Sequence, residues 1–214
     1  MENAKRKLRS IIASATTAFY LAGSNINAQP ISGSVEAMGT SKNLTSDTKL
    51  SIDLNKRLNL FTRNRTGFNY KDNNKVHFTV IDFSYNWGNG LGVLYETQLT
   101  AEQEPNRRAG LQYFGKTKSL SLYAGGTAGI APEQNGEITL RLRYSRPLKQ
   151  NLDSVLQAET ITDLDKTGIT FAVQRCKAGL NANKSFEAGF ELDIKEIPGK
   201  DTQYTKGGYI SYKF

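Results

Sequence analysis

The chain has 214 residues, a single cysteine and a formal net charge of +8. That length holds one β-domain or two small ones. It contains no run of about 20 apolar residues, which excludes helical membrane spans and leaves open a crossing by strands of about 9–11 residues. Cys176 has no second thiol, which excludes an internal disulfide and a paired-thiol metal or redox centre. A lone cysteine is expected to be a small buried apolar side chain.

The amino terminus differs from everything after it. Lys5, Arg6, Lys7 and Arg9 form a basic segment, Ile11 to Gly23 a modestly apolar one, and Ala28 stands where a small residue precedes a cleavage point. This is the pattern of a secretory signal peptide, so residues 1–28 are expected to be removed and 29–214 to form one domain. Taking away those four bases and Glu2 leaves 24 Lys+Arg against 19 Asp+Glu. The remaining bases are interspersed with acids, which argues against a nucleic-acid partner.

From Ile31 onward short amphipathic segments alternate with clusters of Gly, Asn, Asp and Lys, the pattern of an all-β protein. Twelve strands are expected, over 31–39, 48–54, 57–66, 76–86, 91–100, 107–116, 119–125, 137–146, 153–161, 167–177, 185–194 and 207–214. Ile81, Phe83 and Tyr85 share one face opposite Asp82, Ser84 and Asn86, and Val93 and Tyr95 oppose Glu96 and Gln98. Leu140, Leu142 and Tyr144 oppose Arg141 and Arg143. Ile169, Phe171 and Val173 oppose Thr170, Ala172 and Gln174. Phe186, Ala188, Phe190 and Leu192 oppose Glu187, Gly189, Glu191 and Asp193, because strand side chains alternate with period two. Arg63 and Arg65 also share one strand face.

Longer loops and shorter turns roughly take turns between these strands. An up-and-down barrel with both termini on one rim has that rhythm, which blurs only at 162–166 and 178–184. The last strand, Gly207 to Phe214, sets Ile210, Tyr212 and Phe214 against Ser211 and Lys213 and stops on the aromatic itself. With the export signal and the alternating middle, it resembles the closing strand of bacterial outer-membrane β-barrels. That resemblance implies a closed antiparallel barrel of about twelve strands, located in the outer membrane, surrounded by its lipid and inserted by an assembly machinery that reads the terminal strand.

Under this reading Glu96, Gln98, Arg141, Arg143, Glu187, Glu191, Asp193 and Lys213 line a charged, largely plugged lumen. Leu140, Leu142, Phe171, Phe186, Phe190, Ile210, Tyr212 and Phe214 face lipid. Aromatics near strand ends, among them Tyr85, Trp87, Tyr113, Phe114 and Tyr144, suit interfacial girdles. The last strand is expected to pair with the first, Val35 and Ala37 outside with Ile210 and Tyr212, and Glu36 inside near Lys213. A secreted soluble β-barrel or sandwich with the apolar face inward, binding through its loops, is the alternative.

Chemistry is not expected. Outer-membrane phospholipases and lipid A deacylases carry a His-x-Ser pair on one strand face; here the only histidine, His77, is followed two residues on by Thr79, a poor nucleophile. Asp82 falls on the opposite face from His77. No glycine-rich phosphate loop, nucleophile elbow or metal-ligand spacing is present, and no cofactor is expected. The function expected is a narrow passive channel or a structural barrel.

Overall fold

A computed structural model describes residues 31–70, 75–100, 104–130 and 135–214. The expected export signal therefore lies outside the described residues. The chain forms twelve antiparallel strands: β1 Ile31–Gly39, β2 Asn43–Asp53, β3 Leu58–Asn69, β4 Lys75–Asn86, β5 Leu91–Thr100, β6 Asn106–Lys116, β7 Leu120–Gly129, β8 Asn135–Lys149, β9 Leu152–Asp165, β10 Gly168–Ala182, β11 Phe186–Glu196 and β12 Gln203–Lys213. Each strand pairs with its chain neighbours, and β12 closes on β1 to make one barrel. Closure leaves no sheet edge with unpaired backbone groups.

The closing seam has the expected register. Val35 lies opposite Tyr212, Glu36 opposite Ser211 and Ala37 opposite Ile210. Backbone bonds between Gly33 and Phe214 extend the seam to the last residue (Gly33 N to Phe214 O, 2.9 Å; Phe214 N to Gly33 O, 3.1 Å). A Cβ on Gly33 would meet the Phe214 ring at 2.5 Å, so a side chain at position 33 and the terminal aromatic compete for one place. The expected approach of Glu36 and Lys213 is not realised. Glu36 pairs with Lys177 across the interior, and Lys213 pairs with Glu187 on the neighbouring strand.

Strand length is where the sequence expectation departs most. Strand β2 starts at Asn43, five residues before expected, and β10 runs on to Ala182 through what had read as a loop. Neither stretch has an apolar stripe: Asn43–Asp47 has Leu44 as its one apolar side chain, and Gly179 to Ala182 mixes Gly, Leu, Asn and Ala. Their pairing is continuous all the same, Thr45 with Gly67 and Ala182 with Phe186. The β10–β11 connection is a tight reversal in which Asn183 and Lys184 take φ of 52° and 62°. Positive φ at both central residues matches the right-handed twist of the flanking strands.

Burial runs opposite to that of a soluble domain. Asp47, Glu96, Arg108, Glu159, Arg175, Lys177, Glu187, Glu191 and Asp193 are buried, while Leu111, Ile138, Leu140, Leu142, Leu156, Phe186, Phe190 and Ile210 are exposed. The charged face of each strand is therefore the inner wall and the apolar face the outer wall. A few apolar side chains join the inner wall, notably Met38, Val80, Leu94, Val155, Val173 and Tyr209. The secreted soluble alternative requires the reverse arrangement.

One strand breaks its own alternation. A bulge lies between Ile169 and Phe171, where β10 advances two residues against one on β9: Ile169 faces Leu164 and Phe171 faces Asp163. The extra residue switches every later side chain to the other face. Ile169 is exposed on the outer wall, but Phe171 and Val173 line the interior cavity. The expectation that Phe171 faces outward is thereby corrected. The same register turns Cys176 outward beside Ala158, where it is exposed and not buried as expected. Phe114, opposite Tyr123, likewise lines the cavity and does not join the outer girdle.

Candidate channel lumen

The interior is asymmetric. On the side of β9 to β12 and β1, charged side chains fill it. Arg175 is the hub: its guanidinium reaches Glu159 on β9, and Glu191 at 3.0 Å and Asp193 at 2.9 Å on β11. Lys177, one step along the same face of β10, bridges Glu36 of β1 and Glu191 (3.1 Å). Arg175, Lys177, Glu191 and Asp193 are each no more than 5% exposed. Removing such groups from water is tolerable only because every charge meets opposite charges and hydrogen-bond partners in the low-dielectric interior.

A second knot lies nearer the rim that carries the termini. Glu187 is 2% exposed and accepts from Lys213 Nζ (2.6 Å), Tyr209 Oη (2.8 Å) and the Arg143 guanidinium. A third forms on the adjoining wall, where Arg63 grips Asp47 through Nε (3.0 Å) and Nη2 (2.6 Å). Arg65 then reaches Asp193 at 3.5 Å and ties the third knot to the first. The fork of arginine suits these sites because it holds two carboxylate oxygens in one plane.

The opposite side is open. A cavity of about 1080 Å³ follows the wall from β2 to β10. Lys49, Arg63, Arg65 and Arg175 give it a basic arc, and Asp82, Glu96, Glu137 and Asp163 an acidic one. Asp82 and Glu96 are direct cross-strand neighbours of like charge. Gln98 Nε2 relieves part of that repulsion by donating to Glu96 (2.7 Å) and Glu137 (2.9 Å), and Arg108 pairs with Glu137 at 3.0 Å and Asp163 at 3.4 Å. Arg141 lies over the Tyr123 ring, 5.6 Å from its centroid.

Of the residues singled out from sequence, Glu187, Glu191, Asp193, Lys213 and Arg143 sit in the filled half, and Glu96, Gln98 and Arg141 line the cavity. Leu140, Leu142, Phe186, Phe190, Ile210 and Tyr212 are exposed on the outer wall. Phe214 stacks on Tyr212 there, with centroids 6.5 Å apart. Arg175, Glu159, Lys177, Asp47, Arg108 and Glu137 were not singled out. Period two places Glu159, Arg108 and Glu137 on the inner face, whereas Arg175 and Lys177 reach it only through the bulge in β10 and Asp47 lies in what had read as a loop. No periodicity indicates which inner charges meet across the barrel. The side chain of His77 bonds to Thr66, Thr79 and Asn64 and to none of these carboxylates, although His77 also borders the cavity.

Among solved structures, the chain resembles the KdgM porin, with a TM-score of 0.54, 13% identity, and coverage of 86% of this chain and 99% of that one. The fold is that of the outer-membrane porins. The KdgM porin in complex with disordered oligogalacturonate superposes equally well, with a TM-score of 0.54 and 12% identity over 86% of this chain and 99% of that one. An outer membrane channel from Pseudomonas putida F1 matches more loosely, with a TM-score of 0.47 and 10% identity over 89% of this chain and 97% of that one. No family model matches the chain, and no curated protein matches it by sequence.

Proposed function

We propose that this protein is an outer-membrane channel whose passage runs along the β2–β10 side of a half-filled barrel and admits small polar solutes. The observation that carries the reading is the inverted wall: buried charges inside, exposed Leu, Phe, Tyr and Ile outside, in a sheet with no free edge. Hydrocarbon accepts the outer wall, and a narrow aqueous lumen accepts the inner one. The filled half restricts the bore, and the open half leaves a cavity of mixed lining, charged arcs alternating with Phe61, Val80, Phe114 and Phe171, for a solute to follow.

The likeness to a porin solved with an oligogalacturonate supports carriage of polar solutes but not an anionic preference here. In this cavity basic and acidic side chains are nearly balanced. The solute class is therefore small and polar, without a strong charge requirement. The close contacts in the lumen are ion pairs and hydrogen bonds among wall residues, which supports a channel reading over a catalytic one.

Purified protein inserted in planar lipid bilayers should give discrete ohmic current steps with weak ion selectivity. Asp82→Lys, which adds a base to the acidic arc, should move the reversal potential toward anions while the steps persist. Barrels shown to be inserted that pass no current above the bare bilayer would leave a purely structural barrel instead.

A further inference from the structure

The outer wall is not uniformly apolar. Across β2, β3 and β4 two pairing rows run Ser46–Thr66–His77 and Thr48–Asn64–Thr79. Strand parity turns all six side chains outward, since the intervening Asp47, Arg63, Arg65 and Val80 are inner-wall residues, although His77, near the start of β4, also borders the cavity. Thr48 and Asn64 lie at the middle of their strands, not at an end. The rows on either side are mostly apolar: Leu44, Phe68 and then Lys75 toward one rim, and Leu50, Thr62 and Ile81 followed by Ile52, Leu60 and Phe83 toward the other. This is a polar island inside an apolar band.

The island is knitted together. Thr66 Oγ1 lies 3.2 Å from His77 Nδ1, and Thr79 Oγ1 lies 3.2 Å from His77 Nε2. Asn64 Nδ2 donates to Thr79 Oγ1 at 3.1 Å. Among the described residues no donor reaches the Asn64 carbonyl oxygen, which remains an acceptor on the outer surface. None of the six is a carboxylate, a lysine or an arginine; the nearest charge of the same parity is Lys75, one row toward the rim.

We infer that this island is the contact face for a second copy of the same chain, packed wall to wall in the membrane. The inference rests on the outer wall facing lipid. Lipid tails offer no hydrogen bonds, so the Asn64 carboxamide at mid-strand is costly unless another protein covers it. Hydroxyls, a carboxamide and an imidazole each donate and accept, so the set is complementary to itself across a two-fold axis, the commonest symmetry of homo-oligomers. Asn64 facing Asn64 of a second copy can form a paired amide. Four of the six are Ser or Thr, and β1 adds Val35 and Ala37 opposite Thr48 and Ser46. Small side chains of this kind let two backbones approach closely.

Disulfide trapping of full-length protein in isolated outer membranes tests this. In a Cys176→Ala background, Thr48→Cys, Asn64→Cys and Thr79→Cys report on the island, and Leu140→Cys on β8 is the control. After mild oxidation at least one island variant should run mainly at twice the monomer mass, while Leu140→Cys stays monomeric. Unsubstituted protein in mild detergent should have the mass of a dimer. Monomer throughout, an island adduct with a different polypeptide, or equal trapping at Leu140 would overturn the inference. Membrane fractionation before oxidation separates that failure from failure of the channel reading, since protein absent from the membrane indicts the latter.

Discussion

Arg175→Ala should destabilise the refolded barrel by about 3–5 kcal/mol, the loss expected when one member of a buried ionic cluster is removed and its partners stay behind. Arg175 is 4% exposed and touches Glu159, Glu191 and Asp193. Without it three carboxylates share one low-dielectric site, with Lys177 beside Glu191, Arg65 beside Asp193 and Arg63 toward Glu159 as cationic neighbours. Equilibrium urea unfolding in lipid vesicles reads the difference. Arg175→Lys should fall between the two, because an ammonium keeps the charge but cannot span carboxylates on β9 and β11 with a planar fork. Equal stability of Arg175→Ala and the unsubstituted protein would mean that water, not ion pairing, fills that side.

Phe190→Arg should cost about 2–4 kcal/mol, the range for a cationic side chain near the midplane of a lipid-facing barrel wall. Phe190 is 78% exposed and central in β11. Folding yields into vesicles of native-like thickness should fall accordingly, while Asp82→Asn, facing the open cavity, should leave them nearly unchanged. Glu187→Gln is a poor control, although its strand position alone suggests one. Its carboxylate holds both Arg143 and Lys213, and a neutral amide would leave two cations facing each other.

Strand number, closure and the wall on which most residues lie were legible because they depend on period-two alternation and on the two chain ends. Three features were not. The bulge at Ile169/Phe171 inserts a residue that no local pattern marks, so Phe171 read as an outer-wall residue. The beginning of β2 read as a loop because Asn43 to Asp47 has one apolar residue, Leu44, and no apolar stripe. That missing stripe is the outer-wall island itself, with Ser46 and Thr48 where Leu or Phe stands on other strands. The ion-pair network joins residues far apart in sequence, such as Glu36 and Lys177, through the curvature of the barrel. Sequence spacing turns Glu36 inward but sets Lys177 on the outer face until the bulge in β10 switches it, so their meeting could not be read from it.

The account depends above all on which wall meets lipid. Spin labels placed singly along β8, at Leu140, Arg141, Leu142 and Arg143, test it in protein reconstituted in bilayers. The account predicts that collisions with apolar oxygen are frequent at positions 140 and 142 and rare at 141 and 143. The reverse alternation, or accessibility of positions 140 and 142 to a water-soluble nickel chelate, would contradict it.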